Sequence, residues 1–141
     1  MKKLDLIMVV EDDPTATFLA HRILKKSDLA EKLCTARNGR QALTFVQSYF
    51  GDPDYSSDLP SVLLVDISMP VMGGFEFLKE LDLLDITKKP LVVMLSSSRK
   101  KDDVEKAFQL KADGYFTKPF RMEDLNEFLA TVHSDPVKNQ F

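Results

Sequence analysis

Several features that define other classes of protein are scarce or missing in this sequence. The chain has a single cysteine, so it cannot form an internal disulfide, and a reducing compartment is expected. No apolar run approaches the roughly 18 residues that a membrane-spanning helix needs. The two lysines near the N-terminus are not followed by an apolar stretch long enough for a signal peptide. These absences predict a cytoplasmic protein without a membrane segment.

An extended stripe of basic residues is also missing. The formal net charge is -3, and the 19 lysines and arginines are spread along the chain instead of forming a stripe. Proteins that neutralise nucleic-acid phosphates need such a stripe. Direct binding of nucleic acid is therefore not expected.

The sequence does contain enough apolar material for one domain. Its 141 residues are 44% hydrophobic and 29% charged, which is typical of a globular chain that buries one core. Periodic patterns end near residue 134. We therefore expect one domain over residues 1–134 and a flexible C-terminal tail over residues 135–141.

Short apolar runs alternate with segments of helical period, which predicts an α/β fold. Residues 6–10 and 62–65 are apolar throughout, as expected for strands covered on both faces. Five such units with short links predict a (βα)5 doubly wound parallel sheet of five strands. The apolar stripes are expected to include Phe18, Leu19, Ile23 and Leu24 in the first helix, and Val104, Ala107 and Phe108 in the fourth.

Reactive side chains follow the predicted strands at the sheet edge where ligands bind in such folds. Glu11 and Asp12 follow the first strand, Asp66 the third, Ser96 ends the fourth, and Lys118 follows the fifth. Clustered carboxylates repel one another unless a proton or cation is bound, and Mg²⁺ prefers oxygen ligands. Beside such an ion an aspartate can attack phosphorus and form an acyl phosphate. A single acid after a strand is more often a helix cap, but this ordered set favours phosphoryl transfer.

Three stretches of the sequence resemble the receiver domains of two-component response regulators. They are Val9-Val10-Glu11-Asp12-Asp13-Pro14, the D-x-x-M-P-x-x-x-G stretch from Asp66 to Gly74, and Lys118-Pro119-Phe120. The resemblance covers about residues 5 to 133 and implies a flavodoxin-like fold with sheet order 2-1-3-4-5. It also implies a phosphorelay protein instead of an enzyme with its own substrate. Asp66 would accept a phosphoryl group from a histidine kinase or phosphotransfer protein, and would lose it by slow autodephosphorylation.

The resemblance implies a metal site. Asp12 would ligate Mg²⁺ or Mn²⁺ directly and Glu11 through water, with Asp66 and the backbone carbonyl of Ser68 completing the protein ligands. Asp13, the third acid in the run, is expected to cap the first helix. The bond between Lys118 and the following proline is expected to be cis.

The resemblance also implies a route from the site to an output. The hydroxyl of Ser96 would move toward the phosphoryl group, Lys118 would be its cationic partner, and the ring of Tyr115 would follow Ser96. The surface of the fourth helix, fifth strand and last helix would then bind an unidentified downstream protein or a second copy of the chain. Two departures from the family pattern are the Ser96-Ser97-Ser98 run and a long loop over residues 51–60.

Two other functions stay open at this point. A Mg²⁺-dependent small-molecule phosphatase or phosphotransferase would also use an aspartate after a strand. However, Ser68 stands where such enzymes carry a second acid, and 141 residues leave no room for a substrate cap. A constitutive interaction module is the other alternative, and the complete set of reactive residues argues against it.

Overall fold

The structure, a computed structural model, describes residues 3–134. In this part of the chain strands and helices alternate, and the tail predicted over residues 135–141 lies outside it. No helix in the described range is long and apolar enough to cross a membrane. The elements are β1 (Leu4–Val10), α1 (Pro14–Ser27), β2 (Ala30–Ala36), α2 (Gly39–Phe50), β3 (Ser61–Val65), α3 (Gly74–Asp82), β4 (Leu91–Ser96), α4 (Lys101–Gln109), β5 (Gly114–Thr117) and α5 (Met122–Ser134).

The five strands form one parallel sheet in the order β2-β1-β3-β4-β5. This confirms the predicted (βα)5 sheet and the strand order that the family resemblance implied. Val10 at the end of β1 pairs with Val65 at the end of β3, and Ser96 at the end of β4 pairs with Thr117 at the end of β5. The register therefore aligns the carboxyl ends of these strands along one edge.

The two faces of the sheet bury separate cores. Alternate residues of β1 point to opposite faces, so Met8 packs with residues of α2 and α3, whereas Ile7 and Val9 pack with residues of α1 and α5. All residues of β1 and β3 are buried. This double coverage explains why both strands are apolar throughout instead of alternating.

The apolar stripes predicted for two helices are wrong in part. Phe18 and Leu19 are 63% and 51% exposed, whereas Ala20 and Leu24 are buried. Each residue turns a helix by about 100°, so the face that buries Ala20 points Phe18 almost to the opposite side. In α4 the same geometry buries Ala107 and leaves Phe108 48% exposed.

Asp13 caps the first helix, as the sequence predicted. The side chain of Asp13 accepts a hydrogen bond of 3.2 Å from the amide of Thr15, with Pro14 opening α1. Asn38 caps α2 through the amide of Gln41. The Lys118–Pro119 peptide bond is cis.

Candidate functional site

Four of the predicted site residues, Glu11, Asp12, Asp66 and Lys118, meet at the carboxyl edge of the sheet. The amide of Asp66 donates to the carbonyl of Val10 at 3.0 Å, and the amide of Glu11 donates to the carbonyl of Ala36 at 2.9 Å. These bonds extend the sheet by one residue beyond β1 and β3. The backbone therefore fixes both acids side by side in the centre of the edge.

Three carboxylates converge there. Oxygen atoms of Glu11, Asp12 and Asp66 lie within 4.8 Å of one another. Glu11 and Asp66 are only 6% and 9% exposed, whereas Asp12 faces solvent. The cluster thus has two buried members and an open side through which an ion or a phosphoryl group can enter.

Lys118 places a cation against two of these acids. Its ammonium group donates a hydrogen bond to Glu11, and its nitrogen lies 3.3 Å from a carboxylate oxygen of Asp66. The amide of Lys118 donates to the carbonyl of Ser96 at 2.8 Å. This hydrogen bond fixes the backbone from which the Lys118 side chain extends. Burial disfavours the charge, but the hydrogen bond to Glu11 and the charges of both acids outweigh it and raise the pKa of Lys118. The lysine is therefore cationic at neutral pH.

The segment that leads from Asp66 to α3 presents a further oxygen. The carbonyl of Ile67 accepts a hydrogen bond from the amide of Gly74 at 2.9 Å. The carbonyl of Ser68 makes no hydrogen bond with any residue in the described range, which leaves it available to a cation. Gly74 is required in this turn, because a Cβ there would lie 2.5 Å from the carbonyl oxygen of Asp66.

This set of oxygen atoms fits a hard divalent cation. Carboxylates, a backbone carbonyl and water are the ligands that Mg²⁺ and Mn²⁺ prefer. Glu11, Asp12 and Asp66 supply carboxylate oxygens within 4.8 Å of one another at this edge. This acidic cluster could therefore bind such an ion.

Ser96 and Tyr115 are linked through a residue that the sequence did not single out. Ser96 is buried, and its hydroxyl oxygen accepts a hydrogen bond of 3.1 Å from the amide of Ser98. The carbonyl of Ser98 accepts a hydrogen bond of 2.9 Å from the hydroxyl of Tyr115. The run of three serines did not predict this linking role for Ser98, because its two hydrogen bonds depend on how the turn after β4 packs against β5.

An apolar hollow of about 450 Å³ adjoins the site between α1 and the residues after β5. Leu19, which was expected on the apolar stripe of the first helix, lines it, and Lys118 and Glu11 form its border with the acidic cluster. The remaining lining is mainly apolar, from Val9, Ala16, Ala20, Ile23, Leu95, Pro119 and Phe120. Apolar surface therefore adjoins Glu11 and Lys118, two of the residues that meet at the carboxyl edge of the sheet.

Comparisons with known proteins agree on one family. The response regulator receiver domain family matches residues 7–130. The chain is 30% identical over 129 residues to Response regulator Rcp1 of Synechocystis sp. strain PCC 6803, covering 92% of this chain and 86% of Rcp1. It is similar in structure to the bacteriophytochrome response regulator AtBRR, with a TM-score of 0.72, 30% identity, and coverage of 90% of this chain and 91% of that one. The Mn²⁺-bound form of Rcp1 is also similar, with a TM-score of 0.67, 29% identity and 92% coverage of each chain.

Proposed function

The chain belongs to the response regulator receiver family, and on that basis we propose that it is a signalling switch in which Asp66 accepts a phosphoryl group from a histidine kinase or phosphotransfer protein. The observation that carries the proposal is the position of Asp66. Its buried carboxylate lies at the end of the central strand, within 4.8 Å of two other acids and 3.3 Å from an ammonium group. We place this exchange in the cytoplasm.

The transfer step needs a nucleophile and a leaving group. A carboxylate oxygen of Asp66 attacks the phosphorus of a phosphohistidine, and a new oxygen–phosphorus bond forms as the nitrogen–phosphorus bond breaks. The electron pair of the broken bond stays on the imidazole, which departs neutral because its other nitrogen carries a proton. The product is an acyl phosphate on Asp66.

Residues around Asp66 stabilise the charge that gathers on the phosphoryl oxygens. A divalent ion held by Glu11, Asp12 and the Ser68 carbonyl, when bound, supplies charge neutralisation. Lys118, whose ammonium nitrogen lies 3.3 Å from Asp66, would pair with one phosphoryl oxygen. Ser96 can donate its hydroxyl hydrogen to another, since the bond from the Ser98 amide uses only the oxygen lone pair.

The apolar hollow beside Lys118 is where we place the phosphodonor. Phosphorus can reach Asp66 only if the donor's histidine approaches this edge of the sheet. Leu19 is exposed on α1 and lines this hollow, so it would pack against an apolar side of the donor. Burying such side chains gives the encounter its affinity, while the donor's histidine faces the carboxylate.

The output is a change in the surface formed by α4, β5 and α5. The β5 and α5 part of this surface carries a groove of about 810 Å³, lined by Tyr115, Arg99, Arg121 and Glu127 among others. A dianionic group on Asp66 would draw Ser96 inward and disturb the bonds that link it to Tyr115. We propose that this shifts an existing equilibrium and alters affinity for a downstream protein or a second copy of the chain.

The experiment is intact-mass spectrometry after incubation with acetyl phosphate and MgCl₂. One phosphoryl group is expected on the wild type and on the control Asp58→Asn, which changes an exposed loop acid, and none on Asp66→Asn. A normal mass shift in Asp66→Asn would exclude the assignment. Repeated hydrolysis of small phosphate esters that depends on Asp66 would instead support the phosphatase alternative, whereas no modification of any variant would support a constitutive interaction module.

A further inference from the structure

Ser98 is the junction of three elements at the end of the sheet. Its amide donates to the hydroxyl of Ser96, which ends β4, and its carbonyl accepts from the hydroxyl of Tyr115 on β5. Its own hydroxyl donates to a carboxylate oxygen of Asp103 at 2.5 Å and accepts from the amide of Lys100 at 3.2 Å. Main chain and side chain of this one residue thus connect β4, β5 and the start of α4.

Asp103 anchors the junction to α4. It lies in the first turn of the helix, where the N-cap residue Lys100 provides no side-chain cap. A carboxylate near a helix N-terminus is favourably placed, and its hydrogen bond with a hydroxyl is stronger than one between neutral groups. Asp102 has the same charge in the same turn, but in the described range it makes no hydrogen bond or ion pair. Asp102 and Asp103 therefore share charge and helical turn, but of the two it is Asp103 that binds Ser98.

We propose that Asp103 is a positioning residue of this switch, which acts through Ser98 to hold the Ser96 hydroxyl and the Tyr115 ring in a single arrangement coupled to α4. This inference rests on the proposed function of Asp66. While Ser98 is fixed, its amide donates to a lone pair of the Ser96 hydroxyl oxygen. The hydroxyl hydrogen of Ser96 then stays free for a phosphoryl oxygen. Movement of Ser96 then pulls on Ser98, and through it on Tyr115 and the first turn of α4.

The first test uses the protein without any phosphodonor. NMR spectra of Asp103→Ala are expected to show shifted amide signals for Ser96 and Ser98 and shifted ring signals for Tyr115. The matched control Asp102→Ala removes the same charge one residue away and should leave those signals in place. Shifts confined to α4, or equal shifts in both variants, would overturn the proposal. Asp103→Asn, which keeps an acceptor oxygen, should give smaller shifts in the same residues and serves if the alanine variant fails to fold.

The second test measures the rate of Asp66 phosphorylation by acetyl phosphate at saturating Mg²⁺. Asp103→Ala is expected to lower it about threefold to tenfold, because Ser96 is less often in the productive position. If Asp103 acts through Ser96, the substitution should have no further effect in a Ser96→Ala background. Additive losses would refute the route through Ser96. A wild type that takes up no phosphate would refute the proposed function, while the NMR comparison would still decide the role of Asp103.

Discussion

The ammonium nitrogen of Lys118 lies 3.3 Å from a carboxylate oxygen of Asp66, the residue that we propose as the phosphoacceptor. In the absence of a divalent ion this lysine is the cation that offsets the repulsion between Asp66 and the buried Glu11. The same side chain thus has a structural role before phosphorylation and, in our proposal, a role in stabilising the phosphoryl group.

Lys118→Met should therefore destabilise the protein in EDTA by about 1–3 kcal/mol, because the buried carboxylates of Glu11 and Asp66 lose their partner. Added Mg²⁺ should recover most of that loss. Urea unfolding with EDTA and with MgCl₂ measures both values. Lys111→Met, which breaks the exposed ion pair with Asp82, is the control and should change stability by less than about 0.5 kcal/mol. A loss that Mg²⁺ does not relieve would contradict this role.

Asp12→Ala should weaken Mg²⁺ binding at least about tenfold and suppress phosphorylation by acetyl phosphate, since one carboxylate of the proposed metal site is lost. Without metal the fold should remain intact, because Asp12 is exposed and one repelling charge is removed. The neighbouring Asp13→Ala offers a contrast: it removes the α1 cap, costing about 1 kcal/mol, and leaves Mg²⁺ binding unchanged. Calorimetric titration with MgCl₂ measures the metal affinity of each variant, and thermal unfolding measures its stability. Equal Mg²⁺ affinities of Asp12→Ala and Asp13→Ala would count against Asp12 as a ligand.

A polar cluster at the opposite end of the sheet ties the long loop over residues 51–60 to β1. The buried carboxylate of Asp5 accepts hydrogen bonds from the hydroxyls of Tyr49 at 2.7 Å and Tyr55 at 3.4 Å, and from Lys32 at 3.3 Å. Burial opposes ionisation of Asp5, but the bonds from Tyr49 and Lys32 outweigh it and hold its pKa below the usual 3.8.

Asp5→Asn should therefore lower the free energy of unfolding by about 1–2 kcal/mol near neutral pH, a modest value because Lys32 is largely solvent-exposed. The folded pKa is depressed, so the stabilisation is complete above 3.8 and is lost as the pH falls through the lower folded value. Urea unfolding over a pH series should show the two proteins converging in acid. Asp82→Asn, which changes the carboxylate of the exposed ion pair with Lys111, is the control and should show neither the loss of stability nor its pH dependence. A stability difference between Asp5→Asn and the wild type that stays constant across the pH series would contradict the ionic role of Asp5.

Val71, five residues after Asp66, occupies an unfavourable backbone conformation. Its φ is 68°, its side chain is 79% exposed, and the amide of Met72 donates across it to the carbonyl of Pro70 at 2.7 Å. These features describe a tight γ-turn, which is strained for a β-branched residue.

Val71→Asn should stabilise the protein by about 1 kcal/mol, because asparagine tolerates left-handed backbone and little packing is lost. Leu83→Asn is the matched control, since Leu83 is equally exposed at 78% but has a φ of -84°. Its stability should change by less than about 0.5 kcal/mol. Thermal unfolding compares the two, and an unchanged or lowered melting temperature for Val71→Asn would show that the turn is not strained.

Much of the fold could be read from local patterns. The continuous apolar runs of β1 and β3 mark strands buried on both faces, and the caps Asp13 and Asn38 mark helix starts, because each signal involves residues near one another in the chain. The positions of Glu11 and Asp66 followed from the same reading, since parallel strands bring their carboxyl ends to one edge.

Other features depended on how the elements pack. Phe18, Leu19 and Phe108 have helical spacing like core residues, yet the rotation of each helix against the sheet leaves them exposed. That rotation is set by the volumes of residues on other elements, which the helix's own sequence does not contain. The long loop likewise gave no hint that Tyr55 would reach Asp5 at the start of β1.

The (βα)5 order, the acids at the strand ends and the family to which they point can all be read from the amino-acid sequence alone. The pairing of Lys118 with both Glu11 and Asp66, and the bonds that join Ser98 to Ser96, Tyr115 and Asp103, depend on the folded arrangement. Periodicity and capping act between neighbours along the chain, whereas these hydrogen bonds depend on tenths of an ångström between groups from separate elements. Those distances exist only once the sheet and its helices have packed.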